Sequence, residues 1–402
     1  DSTYFRISST EAATMDPAQR LVLEVGYEAL HHAPIDRAGF CNLDVGVFLG
    51  VDKCDWQTVR PASTFSSVYT MSSATNNIAG GRLSFSLGLQ GPCATYDTAC
   101  SSAHVAAHGT ARALQRRECD DYAIAEGVNM NLNPAFHASF AIVGLMSATG
   151  KSHVFDSRAD GMGRGEACCT MLLQGGDRES AKVAMTGAAV RQDGRSSSLT
   201  APNGPAQQRL FIAAIHDAGI LPTDVAWCEA HGTGTKLGDP VETTSLREAV
   251  IDAKRTPLTV GGLKGNTGHT EGASGVPGLL ATVSVLASRQ AAPNALLRIL
   301  NPHVATALAR SSHCLMSVSA SSIDATEADS DGSANSFGFS GTIASIVLHS
   351  KVLTTRIGVR SLAYRRHAFH WRHVDSTAGV AALAPMHSMG WALSPLTAVA
   401  PS

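Results

Sequence analysis

The 402-residue chain is poor in charge and in aromatic rings: Asp, Glu, Lys and Arg make up 16% of it, and Phe, Trp and Tyr 5%. Its 31 basic and 33 acidic side chains nearly cancel, leaving a formal charge of -2. That balance lacks the electrostatic footprint of a nucleic-acid binder or a polybasic membrane-surface protein. Long apolar runs are also missing. The longest, residues 276–287, contains Pro277 and Gly278 and is too short to span a bilayer as a helix. Nine cysteines, an odd number with no CxxC spacing, argue against both a disulfide framework and a zinc site, so no metal is expected. The expected setting is reducing: the cytoplasm, or a plastid if a targeting segment preceded Asp1.

What the chain has is 44% hydrophobic residues and 37 glycines, the composition of a tightly packed α/β protein rich in glycine turns. At 16–30, "DPAQRLVLEVGYEAL" places Leu21, Val22, Val25, Ala29 and Leu30 at helical spacing behind an Asp-Pro start. "VGVFLG" at 45–50 reads as a buried strand, and "RLSFSLGLQGPCATYDTAC" as a strand signal running into Cys100. A helix over 101–117 and a strand over "YAIAEGVNM" follow, which predicts a right-handed crossover and a parallel pair. Cys168 and Cys169, in "EACCTMLL", read as packing residues on a strand.

A second half begins near Val183, with a strand in "VAMTGAAVRQDG" and a helix in "GPAQQRLFIAAIHDAGI". Then "VAWCEAHGTGT" and "LTVGGLKGNTGHT" repeat one layout, an apolar strand entering a Gly/Thr loop that carries a histidine. "EGASGVPGLLATVSVLA" is small and apolar on every side, as a central buried helix would be. The chain therefore divides into 1–182, 183–350 and a His/Arg-rich linker or tail, 351–402.

Cys100 falls at the predicted strand-to-helix junction. A helix N-terminus stabilises a thiolate and offers amides to an oxyanion, and Ala99, Ser101, Ser102 and Ala103 keep the turn small enough for a nucleophile elbow. The plainer alternative is one more buried thiol. Of 16 histidines, His31, His32, His108 and His153 sit in ordinary contexts. His231 and His269 differ, because each follows a strand in a glycine-rich loop that lets backbone approach a ligand; structural turns or phosphate-binding nests are the alternative.

"GPCATYDTACSSA", "EAHGTGTKLGDPVE", "LKGNTGHTEGASG" and "NSFGFSGT" occur in the order found in β-ketoacyl synthases. With "DPAQRLVLEVGYEAL", "DSRADGMGRGE" and "DGRSSSLTAPNGPAQQRL", the chain resembles a polyketide synthase ketosynthase domain from about residue 1 to about 350. The resemblance implies a thiolase-like fold, a five-layered αβαβα sandwich of two similar halves, in a homodimer. It implies that Cys100 receives an acyl chain from the phosphopantetheine arm of an acyl carrier protein, the domain binding no cofactor of its own. His231 and His269 would promote decarboxylation of a malonyl thioester and stabilise its enolate. Lys264 would support the site with Glu271 as an acid in the same network, Thr233 and Thr235 would contact pantetheine, and the Phe339 amide would join that of Cys100 in an oxyanion hole behind a mobile ring.

Two departures stand against this pattern. The family's opening strand, ahead of "YFRIS", has no counterpart here, which predicts an exposed sheet edge. "GFSGTIAS" carries Ile343 and Ser345 where the family has a polar pair, which bears on the geometry behind Phe339. The tail segment "LAYRRHAFHWR" resembles the basic, aromatic segment that follows ketosynthases and wraps back onto them. The alternatives are a non-elongating or decarboxylating ketosynthase, a silent dimerisation scaffold, and a Cys-His hydrolase, which would need neither the second histidine loop nor Lys264.

Overall fold

Two sheets organise the protein, and the most apolar strands lie at their centres. In the first, β1 (Gly46–Gly50) is buried at every position and lies between β2 (Cys93–Tyr96) and β3 (Tyr122–Asn129), parallel to both. β4 (Ala167–Gln174) runs antiparallel outside β3. The second sheet has the order β5 (Val183–Gln192), β12 (Thr342–Ser350), β11 (Ser330–Phe337), β6 (Val225–Glu229), β7 (Leu258–Gly261), β9 (Cys314–Leu315). β8 (Gln290–Ala291) and β10 (Ser321–Ser322) make a separate ribbon. This computed structural model describes residues 2–31, 37–60, 62, 67–176, 181–309, 311, 313–323 and 329–351.

The sheets repeat one plan. β2-β1-β3-β4 and β7-β6-β11-β12 each contain two parallel pairs followed by an antiparallel one. β5 adds a further antiparallel strand on β12; among the described residues no strand pairs with the outer edge of β4.

Helices complete five layers. Outside the first sheet, α2 (Pro17–His31) and α4 (Asn76–Leu87) bury Val22, Leu23, Leu30, Leu83 and Leu87 against Leu49 and Ile124. Outside the second, α7 (Gly204–Asp217), α8 (Gly238–Ala249) and α11 (Pro302–Leu308) pack Leu210, Phe211, Leu246 and Val304 on Val225, Val260 and Ile343. Between the sheets run α5 (Ser102–Gln115) and α10 (Gly275–Ser288). Ala107, Leu279 and Leu286 there join Ala125 of the first sheet to Trp227, Ala334 and Ile346 of the second. The remaining helices, α1 (Ser9–Thr14), α3 (Trp56–Val59), α6 (Pro134–Ile142) and α9 (Lys264–Thr267), are short.

Small residues set the spacing of the middle layer. A Cβ on Gly275 would strike the His104 backbone nitrogen and come within 2.5 Å of its Nδ1, so α5 and α10 meet backbone to backbone. A Cβ on Gly127 would lie 2.8 Å from Ala103 Cβ and 3.1 Å from Ala273 Cα. The starts of both central helices are thereby brought to one place. At the edge of the second sheet, Ala188 of β5 donates its N–H to Asp217 Oδ2 at 2.9 Å, and its carbonyl accepts from Arg112 Nη2 at 3.0 Å.

Two expectations change. "RLSFSL" is the end of α4, because Leu83 and Leu87 pack inward at helical spacing and Gly88 closes the helix at φ 74°; the strand entering the Cys100 turn is only Cys93–Tyr96. The parallel strands flanking α5 are not neighbours, since β1 lies between them. Residues 1–356 form one compact unit that contains both sheets. The tail segment "LAYRRHAFHWR" lies outside the described residues.

Candidate active site

Cys100 stands on a strained turn that its neighbours hold. Ala99 adopts φ 54°, unusual for a residue with a Cβ. The Ser102 hydroxyl accepts from the Thr98 amide at 2.8 Å and donates to the Ala99 carbonyl at 2.6 Å. The Ser101 hydroxyl, with one hydrogen to give, lies 2.9 Å from the carbonyl of Thr98 and 2.8 Å from that of Thr342. The two serines therefore do more than keep the turn small: they stitch it to itself and to β12. Ser274 and Ser336 hydroxyls donate to the Cys100 carbonyl at 3.0 and 2.7 Å.

The structure brings both histidines to this cysteine's neighbourhood. His269 Nε2 is 3.0 Å from Cys100 Sγ, and the His231 and His269 rings stand perpendicular with centroids 5.7 Å apart. The Glu271 amide donates to His269 Nδ1 and the Phe337 amide to His231 Nδ1, each at 3.2 Å. An Nδ1 that accepts an amide hydrogen is deprotonated, so both neutral rings carry their hydrogen on Nε2. Burial, then Lys264, holds both imidazoles well below the usual histidine range. The rings are thus neutral Nε2–H donors, and His269 donates to sulfur.

Burial also pushes the Cys100 thiol up to about 12, reinforced by Asp52 and Glu271 and opposed by Lys264 and Lys53. The sequence had suggested a thiolate stabilised by the helix terminus. In the closed site desolvation outweighs that effect, and the resting group is a thiol hydrogen-bonded to a neutral imidazole.

Lys264 is buried on α9. Burial lowers its pKa, while Glu229, Glu242, Cys100 and Asp239 oppose that shift. Glu271 is not its ion-pair partner: that carboxylate binds Lys53 and Arg164, the latter at 2.5 Å. The difference arises because Glu271 begins the turn into α10 and points toward the first sheet's loops, where both cations lie.

Thr233 and Thr235 share a loop with their hydroxyls 3.2 Å apart. The loop is organised by two α8 carboxylates that the sequence reading passed over, although both lie within "EAHGTGTKLGDPVE". Glu242 accepts from the amides of His231, at 2.7 Å, and Gly232, at 2.9 Å. Asp239 accepts from Gly234, at 3.0 Å, and Phe155, at 2.8 Å. Burial raises these carboxyls to about 7 and about 6. The available signal was a pair of acids three residues apart, hence on one helix face, just after a glycine-rich loop.

Phe339 sits in the turn between β11 and β12 and is 47% exposed. The aromatic that packs on His231 is Phe337, at 5.2 Å between centroids. A Cβ on Gly338 would strike the Thr98 carbonyl and lie 3.1 Å from Ser101 Oγ, so this turn presses on the Cys100 elbow. Ile343 and Ser345 leave the hairpin intact: Ile343 pairs with Phe337 and is fully buried, and Ser345 pairs with Asn335.

A thiol at a strained elbow, two Nε2–H imidazoles and a buried lysine thus meet between two α/β halves of thiolase-like fold. Comparison with known proteins gives the family. Residues 1–178 match the N-terminal domain of β-ketoacyl synthase and residues 183–298 its C-terminal domain, so the chain belongs to the β-ketoacyl synthase family. It is 39% identical over 361 residues to a phenolphthiocerol/phthiocerol polyketide synthase of Mycobacterium tuberculosis, covering 87% of this chain and 19% of that protein. It is 38% identical to polyketide synthase GfsA of Streptomyces halstedii, covering 87% and 5%. A ketosynthase domain of the oxazolomycin system of Streptomyces albus superposes with TM-score 0.81 at 27% identity, over 89% of this chain and 64% of that one. The ketosynthase from module 6 of the bacillaene synthase of Bacillus subtilis gives 0.76 at 28%, over 88% and 62%. The chain thus spans a fifth or less of the length of these two curated relatives, and about three fifths of the solved domains.

Proposed function

We propose that this domain catalyses decarboxylative Claisen condensation between an acyl group on Cys100 and a malonyl-type thioester on an acyl carrier protein, in polyketide or related fatty acid synthesis. It is accordingly an acyltransferase. The observation that carries the reading is the pair of backbone amides fixing both histidines as Nε2–H donors beside Cys100.

Cys100 sulfur attacks the incoming acyl thioester, and its proton leaves with the departing pantetheine thiol. The malonyl thioester then takes its place, with the Thr233 and Thr235 hydroxyls along its pantetheine arm. Loss of carbon dioxide leaves an enolate, whose oxygen is stabilised by the two Nε2–H groups. The enolate carbon attacks the acyl-Cys100 carbonyl, whose oxyanion accepts from the Cys100 and Phe339 amides. Collapse breaks the C–S bond, and the thiolate so released takes a proton from water as the β-ketoacyl product departs. Neutral imidazoles suit this role, because a charged one would protonate the carbanion equivalent.

A second copy of the chain is the proposed partner besides the carrier protein. α6, "PAFHASFAI", buries none of its residues although Phe136 and Ile142 are among them, and Ile142 is 84% exposed. An apolar helix left uncovered in this way is a contact surface.

Intact mass after incubation with an acyl thioester, followed by malonyl-carrier protein, tests the reading. The wild type should gain one acyl group, release carbon dioxide and yield a β-ketoacyl product; Cys100→Ala should gain none; His231→Ala and His269→Ala should load but not condense. Loading by the wild type without product would make the domain a non-elongating transferase, and no loading by a folded dimer would make it a scaffold.

A further inference from the structure

A buried charge cluster lies beside His269, and only Glu271 in it was legible as a site residue. Lys53, in the loop after β1, binds Glu271, reaches Asn129 Oδ1 at 2.6 Å and has Asp52 Oδ1 at 3.4 Å. Arg164, in the loop before β4, binds Glu271 Oε1 and Asn131 Oδ1, each at 2.5 Å. The side chains of Lys53, Arg164 and Glu271 are 8%, 6% and 2% exposed. Buried ion clusters are weak sources of stability because desolvation offsets their attraction, so their geometry is the better guide to their use.

That geometry converges on one imidazole. Glu271 adopts φ 46°, a strained conformation that its surroundings must hold, and its amide fixes His269 Nδ1. The loop carrying Lys53 is pressed against the same turn: a Cβ on Gly272 would lie 2.8 Å from the Asp52 nitrogen. Arg164 belongs to a segment that also brackets His269 through its backbone, with His269 donating to Gly163 at 2.7 Å and accepting from Gly165 at 2.8 Å. Lys53 reaches the turn only through its side chain, which makes its contribution separable.

We propose that Lys53 is a positioning residue for His269: it clamps Glu271 in the conformation that fixes the Nε2–H form of the ring. The role rests on the condensation reading. The charged and titratable groups facing His269 are Lys264 from α9, Lys53 from the β1 loop, Arg164 from the β4 loop, Cys100 from the elbow, His231 from the β6 loop and Glu271 from its own turn. Burial keeps the ring neutral first, then Lys264, Lys53 and Arg164 in that order. Removing a cation eases protonation, so the acid limb of any step needing neutral His269 moves to higher pH.

The test compares wild type, Lys53→Met and Lys53→Arg in two readouts. The first is titration of 13C-labelled histidines by NMR, with the His269 signal assigned by His269→Gln. The second is the pH profile of carbon dioxide release from malonyl-carrier protein. Lys53→Met should raise the His269 pKa by about one unit. On the acid limb that shift lowers the rate roughly tenfold, in kcat rather than KM. Lys53→Arg should restore both readouts. An unchanged titration in Lys53→Met, or a loss of rate that Lys53→Arg fails to recover with no shift in pKa, overturns the proposal. If the wild type itself releases no carbon dioxide, the condensation reading fails, and the NMR titration still decides the role of Lys53.

Discussion

At Glu242 one carboxylate holds two amides, those of His231 and Gly232, and so sets where the first histidine stands. Glu242→Gln keeps the shape but leaves one oxygen, so one amide must face an NH2 group. Losing a charged hydrogen bond of this kind costs about 1.5–3 kcal/mol, and kcat should fall by roughly tenfold or more while acyl loading of Cys100, read by intact mass, persists. Such residues show where sequence reading stops. Cys100, His231 and His269 were legible because a glycine loop or an elbow turn announces them locally. Glu242 and Asp239 left only a faint local signal, while Lys53 and Arg164 act across the fold on Glu271, and the same side chains on a solvated surface would spell the same letters. Phe337 and Phe339 make the point in small: two positions apart, one packs on His231 and the other faces outward.

At the scale of elements, four helices, α2, α5, α7 and α10, and the strands β1 and β3–β7 were readable because each has one dominant period or a clear breaker. α7 ends beside Gly219 at φ 69°, and β5 begins at Val183, as the sequence indicated. α4 was misread because Leu83, Phe85 and Leu87 alternate like a strand; Phe85 proves 88% exposed while Leu83 and Leu87 pack inward. The crossing of α5 and α10 was not legible at all, since Gly275 reads as a helix start until His104 is placed against it. Gly275→Ala should lower stability by about 1–3 kcal/mol, because the obstacle is backbone that has no room to yield. Thermal unfolding would register this, and the intact-mass assay should show slower acyl loading, since both central helices begin at the site.

For the molecule as a whole, buried carboxyls set the response to pH. Burial lifts Glu126 in β3 to about 8 from an unfolded value of 4.5, and Glu229, Glu242, Asp239 and Asp193 also rise. A raised carboxyl binds its proton more tightly when folded, so its contribution is lost as pH rises to its folded value, whereas the depressed imidazoles of His104, His231 and His269 act in the opposite sense below about 6.5. The net decline therefore lies between about 6.5 and about 8, and stability then levels. Denaturation midpoints measured from pH 5 to 9 should show that decline, and Glu126→Gln should flatten its upper part. The two-half, thiolase-like architecture was recognisable from the order of motifs, whereas this titration behaviour depends on which acids the layers enclose. The edge of β5 has a consequence of its own. Because Asp217 and Arg112 occupy the amide and carbonyl of Ala188, that rim of the six-stranded sheet cannot serve there as a template for another chain. A salt bridge acts as a stopper against runaway sheet extension and guards solubility where a proline or a bulge would do so elsewhere.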